Sequence, residues 1–288
     1  MMLLTQVTPV HPLVVGFWRL AIAAPVLLLL AYRSSEVRRL PSRSEWLGYF
    51  KLGACMALYQ VSYFWAVSLS GVAIAALVAI CSSPLFIVLL AAWRLGEKLT
   101  AKIYLSLGLG VLGTVLLVAN PGAIANHQSN FLIGVVLALV SGFSYALYVV
   151  LAKARLSQEH PAALAAFSFT AAALLLTPVL VLQPPLGEYL KVLPYFLYLG
   201  IVPTGIAYAF YMAGLHRTSA STAGIAVLLE PLTATLLGVW VFKEPMGVTG
   251  MIGAGLLLGA IALLSNKGEV RSGRDIQTVH RRGAEDAE

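Results

Sequence analysis

The chain is 288 residues long, 59% hydrophobic and only 11% charged, with a mean hydropathy of +0.87. Soluble globular chains carry about 25% charged residues, so this composition excludes a water-soluble domain and points to an integral membrane protein. The net charge of +7 reads as topology and not as affinity for nucleic acid; the expected partners are the lipid bilayer and a small-molecule substrate.

A membrane-crossing helix needs about 20 mostly apolar residues. In chain order the stretches that qualify are Leu13–Tyr32, Trp46–Leu69, Val72–Trp93, Ile103–Ala119, Phe131–Leu151, Pro161–Leu182, Leu193–Ala213, Ser221–Phe242 and Gly247–Ser265. The first reads as a span and not as a secretory leader, because no Lys or Arg precedes it and it exceeds the usual apolar run of about 7–15 residues. Lys and Arg collect on the cytoplasmic side of membrane proteins. With Arg33–Glu45 placed there, alternation gathers Arg94, Lys98, Lys102, Lys153, Arg155, Arg217 and the tail cations on one side, against Lys191 and Lys243 on the other. The expected location is the inner (plasma) membrane with the C-terminus in the cytoplasm. Residues 267–288 are polar, with acidic and basic side chains in balance, and are expected to be a disordered tail. Cys55 and Cys81 have no ligand spacing and read as packed thiols.

One helix pattern occurs twice, in Gly71–Thr100 and Thr218–Gly247. Each copy is an apolar run containing a proline, Pro84 or Pro231, followed at equal spacing by a Trp and a Glu: Trp93 and Glu97, then Trp240 and Glu244. Laid over each other without a gap, Ser82-Ser83-Pro84-Leu85 meets Leu229-Glu230-Pro231-Leu232, so only the second copy has a carboxylate in mid-run. The correspondence extends to His11-Pro12 with His160-Pro161 and to Gly108-Leu109 with Gly255-Leu256. Phe131–Leu151 has no counterpart in the first copy, leaving four helices in one unit and five in the other. A five-helix unit, being odd, sets the two units in opposite orientations, the inverted-repeat plan of many transporters.

Pro84…Trp93-Arg94-Leu95-Gly96-Glu97-Lys98-Leu99-Thr100 and Glu230-Pro231…Glu244, each followed by a Gly-rich helix, resemble EamA-type domains of the drug/metabolite transporter superfamily. Phe17-Trp18-Arg19-Leu20 after His11-Pro12 resembles the arginine-containing second helix of that domain. The resemblance covers roughly residues 11 to 266. It implies an all-α polytopic membrane protein of two inverted repeats, with ten helices in the family and nine in this chain. It further implies a central cavity and export of amino acids or related metabolites. The repeats are assigned to residues 1–119 and 131–266, the first lacking the family's first helix; a start upstream of Met1 is the expected reason.

Glu230 lies near mid-bilayer, where an acid is costly and marks function by default. Pro231 removes a backbone donor, so the helix is expected to break here. The carboxylate is read as an acceptor for a substrate amine or a proton, with a structural carboxyl paired to a neighbouring helix as the alternative. Ser82 and Ser83, at the aligned position in the first copy, join the candidate substrate lining. Ser141, Ser144, Tyr145 and Tyr148 share one face of an otherwise apolar helix. Thr204, Tyr208 and Tyr211 beside Pro203, and Tyr59, Gln60 and Tyr63, repeat the device. Such stripes suit a zwitterion with a partly apolar body; interhelical hydrogen bonding is the plainer alternative.

Arg19 sits roughly a turn and a half inside its helix, placed either to snorkel to the headgroups or to meet a substrate carboxylate or a structural partner. Glu97 and Glu244 precede the next helix in each copy, signalled by Thr100 and Pro245. Together with Arg19, Pro84 and Pro231 they are read as structural or gating residues. Gly108-Leu109-Gly110-Val111-Leu112-Gly113 matches GxGxxG, but inside an apolar helix and without the preceding strand a dinucleotide site needs; it reads as helix packing. The five histidines are scattered over run ends, loops and tail, and no HExxH or GxSxG occurs. No enzyme, cofactor or metal is therefore expected. The reading is a secondary transporter working by alternating access; the alternative is a membrane sensor or assembly partner without flux.

Overall fold

The computed structural model describes residues 11–33, 41–118, 130–182, 186–241 and 247–265. Hydrocarbon offers no water to a loose N–H or C=O, so a crossing segment must satisfy its backbone internally. The described elements are accordingly helical: α1 Pro12–Arg33, α2 Arg43–Ser70, α3 Val72–Leu95, α4 Ala101–Val118, α5 Phe131–Arg155 and α6 Pro161–Leu176. Then follow α7 Leu186–Gly200, α8 Ala207–Arg217, α9 Ala220–Ala226, α10 Leu229–Val241 and α11 Val248–Ser265. Seven stretches are long and apolar enough to cross a membrane, with α7–α8 and α9–α10 each acting as one crossing, while α4 and α11 are shorter apolar helices. Glu244 and the tail 267–288 lie outside the described residues.

Caps set several of the boundaries. Ser42 and Glu45 form a reciprocal capping box at the start of α2, with bonds of 3.4 and 2.6 Å. Thr100 caps α4, its hydroxyl accepting from the Ile103 N–H at 3.4 Å.

Prolines shape the interiors. The run expected over Pro161–Leu182 leaves α geometry at Leu176 and finishes as a 3-10 turn, Thr177–Leu182, because Pro178 cannot continue the ladder. The run around Pro203 widens into a π-helical turn, Ile201–Ile206. The run containing Pro231 breaks at Val227–Leu228 between α9 and α10. By contrast α3 runs unbroken through Pro84. There the Ser82 and Ser83 hydroxyls donate to the Ala79 carbonyl at 3.3 and 2.7 Å, and α1 likewise runs unbroken through Pro25. The second copy has Leu229 and Glu230 at those places, and the Glu230 N–H turns back to the Val227 carbonyl at 2.9 Å.

α5 lies against both α2 and α3, α6 against α1 and α2, and α4 pairs with α11. The two halves are inverted copies, with α1, α2, α3 and α4 matching α6, α7–α8, α9–α10 and α11. Ring contacts show the relation directly. The register of His11 on His160 lays Trp18 on Phe167, and that of Glu97 on Glu244 lays Tyr49 on Phe196. Trp18 stacks on Phe196 at 6.2 Å, and Phe167 packs on Tyr49 at 5.1 Å, so each contact is the image of the other.

One end of the bundle carries Arg33, Arg43, Arg94, Lys98, Lys102, Lys153, Arg155 and Arg217 and is called the basic side. The largest buried cluster fills the half nearest to it, with Leu52, Met56, Ala91, Ala152, Leu164 and Leu215 among its members.

At the α4–α11 crossing a Cβ on Gly113 would come within 2.8 Å of the Gly253 carbonyl oxygen, and one on Gly253 within 2.6 Å of the Gly113 carbonyl oxygen. The image of this contact pairs Ser106 with Ala260, both small and almost wholly buried. Gly113→Leu is expected to push the helices apart at a cost of about 1–3 kcal/mol, seen as a lower thermal-unfolding midpoint of the purified protein. Gly108→Leu, at a position where a Cβ meets nothing within 4 Å, should leave the midpoint unchanged.

Candidate functional site

Between the halves lies a cavity of about 460 Å³, walled by residues from both. Such a volume suits a small metabolite. The first half supplies Arg19 from α1, Tyr59 and Tyr63 from α2, and Ala79, Ile80 and Ser83 from α3. The second supplies Tyr145 from α5, Pro203 from the π-helical turn, and Ala207, Tyr208 and Tyr211 from α8. Ala226, Val227 and Glu230, around the break between α9 and α10, complete the wall.

Ser83 and Glu230 occupy equivalent places, each just before its proline, and both face the cavity. Ile80 and Val227 are likewise equivalent, and theirs are the carbonyls that Pro84 and Pro231 deprive of a donor. The tyrosines form two sets of ring contacts: Tyr59 with Tyr63 at 6.2 Å and with Tyr145 at 5.4 Å, and Tyr208 with Tyr211 at 5.8 Å. Phe169 braces Tyr208 edge-on at 4.8 Å.

Arg19 does not run to a headgroup region. It lines the cavity, and its Nε donates to the Thr204 hydroxyl at 3.2 Å. Arg19 and Glu230 face one cavity without a direct ion pair between them; among the described residues Arg155 pairs with Glu159. A guanidinium and a carboxyl group thus stand in one small chamber that tyrosine rings also line. The arrangement can hold a molecule carrying both charges.

The other expected lining residues fall elsewhere. The stripe on α5 divides: Tyr145 faces the cavity, while Ser141 donates to the Tyr59 carbonyl at 3.3 Å and Ser144 to the Val140 carbonyl at 2.8 Å. Tyr148 is fully buried, its hydroxyl 3.4 Å from that of Ser168. Ser82 bonds within its own helix, and Gln60 is buried beside Tyr59 and outside the cavity wall. Thr204 serves the cavity through Arg19. The lining residues that sequence reasoning missed are Ala79, Ile80, Pro203, Ala207, Ala226 and Val227. Most are apolar residues in apolar helices and carry no signal of their own; Pro203 carried one as a helix breaker.

The basic side is closed by bonds that tie the elements together across it. Gly96, at φ +65°, ends α3 in a left-handed turn, and the Glu97 N–H bonds back to the Ala91 carbonyl at 3.2 Å. That turn aims the Glu97 carboxylate at the start of α9 in the other half. It accepts from the Ala220 N–H at 2.6 Å, the Ser221 N–H at 3.1 Å and the Ser221 hydroxyl at 2.6 Å. The sequence places Glu97 before α4, but α4 is capped by Thr100 and the carboxylate meets the positive end of α9. Lys153 donates to the Leu215 and His216 carbonyls at the end of α8, at 2.8 and 3.1 Å. A second tie joins α2 to the turn between α5 and α6. There Tyr49 donates to Glu159 at 2.7 Å, Glu159 pairs with Arg155, and Arg155 lies over the Tyr49 ring at 4.6 Å.

The EamA-like transporter family model matches residues 2–119 and again 132–266. The uncharacterized transporter YwfM of Bacillus subtilis (strain 168) is 32% identical over 264 residues, which cover 88% of this chain and 84% of that protein. Protein PecM of Dickeya dadantii (strain 3937) is 26% identical over 272 residues, covering 91% and 86%. A solved crystal structure superposes with a TM-score of 0.75 at 25% identity, over 91% of this chain and 89% of the other. With an inverted helical repeat, a cavity between its halves and a family match across both, the chain belongs to the EamA-like transporter family.

Proposed function

We propose that the protein exports amino acids or related zwitterions across the inner membrane by alternating access between its two halves. The observation that carries this reading is that Arg19 and Glu230, a guanidinium and a carboxyl group, line one cavity and are not in direct contact with each other. A substrate carboxylate answers Arg19, a substrate ammonium answers Glu230, and the tyrosine rings take the apolar body. Alignment of the basic side with the cytoplasm follows from the distribution of Lys and Arg and sets the C-terminus inside. The ties at Glu97 and Tyr49 then hold the cytoplasmic side shut, and the cavity belongs to the outward-facing half of the cycle.

The test is counterflow: purified protein in liposomes loaded with unlabelled L-amino acids should accumulate labelled amino acids from outside. Absence of flux from folded protein, with retained binding, would instead mark a sensor. Glu230→Gln is expected to cut amino-acid counterflow by about tenfold or more, the loss of one charge-assisted hydrogen bond, with yield and thermal midpoint unchanged. Full activity in that variant at every pH would remove Glu230 from the site.

Glu97→Gln keeps the shape of the side chain but gives up the charge that faces the α9 terminus, weakening the closed side by about 1–2 kcal/mol. In a background with Cys55 and Cys81 replaced by Ser, a cysteine at Ala226 should then react faster with a thiol reagent added on the basic side, by about five- to thirtyfold if opening limits the reaction.

A further inference from the structure

Pro203 lies in mid-crossing between α7 and α8 and has no N–H to offer the Leu199 carbonyl four residues earlier. Inside a membrane such a carbonyl must find another donor. It finds the Thr204 hydroxyl, at 2.7 Å, within the π-helical turn that the proline opens. This bond commits the hydroxyl's only proton, so toward any other group the Thr204 oxygen can act only as an acceptor. The group it accepts from is the Arg19 Nε, at 3.2 Å. Thr204 is 1% exposed, so bulk water does not compete for either bond. α1 comes this near because Gly200 has no side chain: a Cβ there would stand 2.5 Å from the Cβ of Ile22.

The consequence lies in what remains of the guanidinium. It can bind a carboxylate side-on, through Nε and one terminal nitrogen, or end-on, through both terminal nitrogens. Nε carries one proton, and Thr204 holds it. Arg19 is left with its two terminal amino groups for the cavity it lines.

We propose that Thr204 is a positioning residue that fixes Arg19 for end-on, two-point capture of a substrate carboxylate, and that it thereby makes the site select acids over their amides. The inference rests on the zwitterion reading above. A carboxylate offers two acceptor oxygens to the two amino groups, whereas a carboxamide offers one oxygen and sets its own NH2 against a donor. A guanidinium free to swing divides its time among side-on, end-on and averted poses, so holding it end-on toward the cavity adds selectivity to what the charge alone provides.

The experiment uses the full chain in proteoliposomes, with a labelled mixture of the standard L-amino acids as probe. The amino acid taken up best is then studied with its carboxamide as competitor. The expected result for Thr204→Val is a KM raised by about tenfold, with the maximal rate little changed and the preference for acid over amide reduced by a similar factor. Thr204→Ser, which keeps the hydroxyl, should restore both. The proposal is overturned if Thr204→Val keeps the wild-type preference, or if Thr204→Ser fails as badly as Thr204→Val. Wild-type protein that takes up none of the mixture would overturn the zwitterion reading itself, an outcome distinct from normal uptake with an unaltered preference in Thr204→Val.

Discussion

A helix inside hydrocarbon cannot leave a carbonyl open, and every proline in its interior opens one. Pro25 lies inside a continuous α1, and the three other mid-crossing prolines open theirs beside one space. Pro84 and Pro231 free the carbonyls of Ile80 and Val227, both on the cavity wall, and Pro203 frees that of Leu199, which the Thr204 hydroxyl takes up. The remedies differ with the neighbouring side chains. α3 stays continuous through Pro84, a short backbone turn divides α9 from α10, and a threonine hydroxyl takes up the carbonyl within the π-helical turn. Each of these three spots borders the cavity, where departures from α geometry are tolerated. The breaks at Pro203 and Pro231 and the polar chamber are therefore one feature.

On this symmetric scaffold the chemistry is not symmetric. The counterpart of Glu230 is Ser83, and the registers of the two halves lay Arg19 on Ser168 and Thr204 on Ala57. The aromatic contacts that hold α1 on α7 and α6 on α2 recur at equivalent positions, stacked in one and tilted in the other. The repeat thus specifies how helices pack, while single residues within it specify what the cavity recognises.

Much of this was legible in the residues because membrane physics leaves few options. Long apolar runs must be helices, a repeated Pro–Trp–Glu spacing must be a repeated helix, and a lone mid-run acid must face something other than lipid. The polar stripe on α5 was harder to read. Residues at i, i+3, i+4 and i+7 share a face, but that face is broad enough to touch two neighbours and a cavity at once, so Tyr145, Ser141 and Tyr148 went to three different surroundings. Glu97 was harder still. Spacing along the chain assigns a carboxylate to the nearest following helix, whereas its partner, the start of α9, is adjacent only in space. The link from Pro203 through Thr204 to Arg19 joins residues on separate crossings, and no periodicity along one helix reveals it.

Under the proposed function, the unpaired charges also bear on when the protein moves. Closing the cavity around Arg19 and Glu230 removes both from water, and each ion pays a desolvation penalty of several kcal/mol unless a partner compensates it. A zwitterion compensates both at once and spans the two halves, since Arg19 belongs to one and Glu230 to the other. A compound with a single charge leaves the opposite group bare, and a neutral compound leaves two. Closure is then favoured by the same feature that recognises the cargo, because only a ligand with both charges makes the closed chamber neutral throughout. The Glu97 tie sets the opposing threshold, since opening the basic side requires the carboxylate to give up three hydrogen bonds at the start of α9. A bridging substrate that draws the halves together at the cavity supplies the compensating interaction where the tie has none.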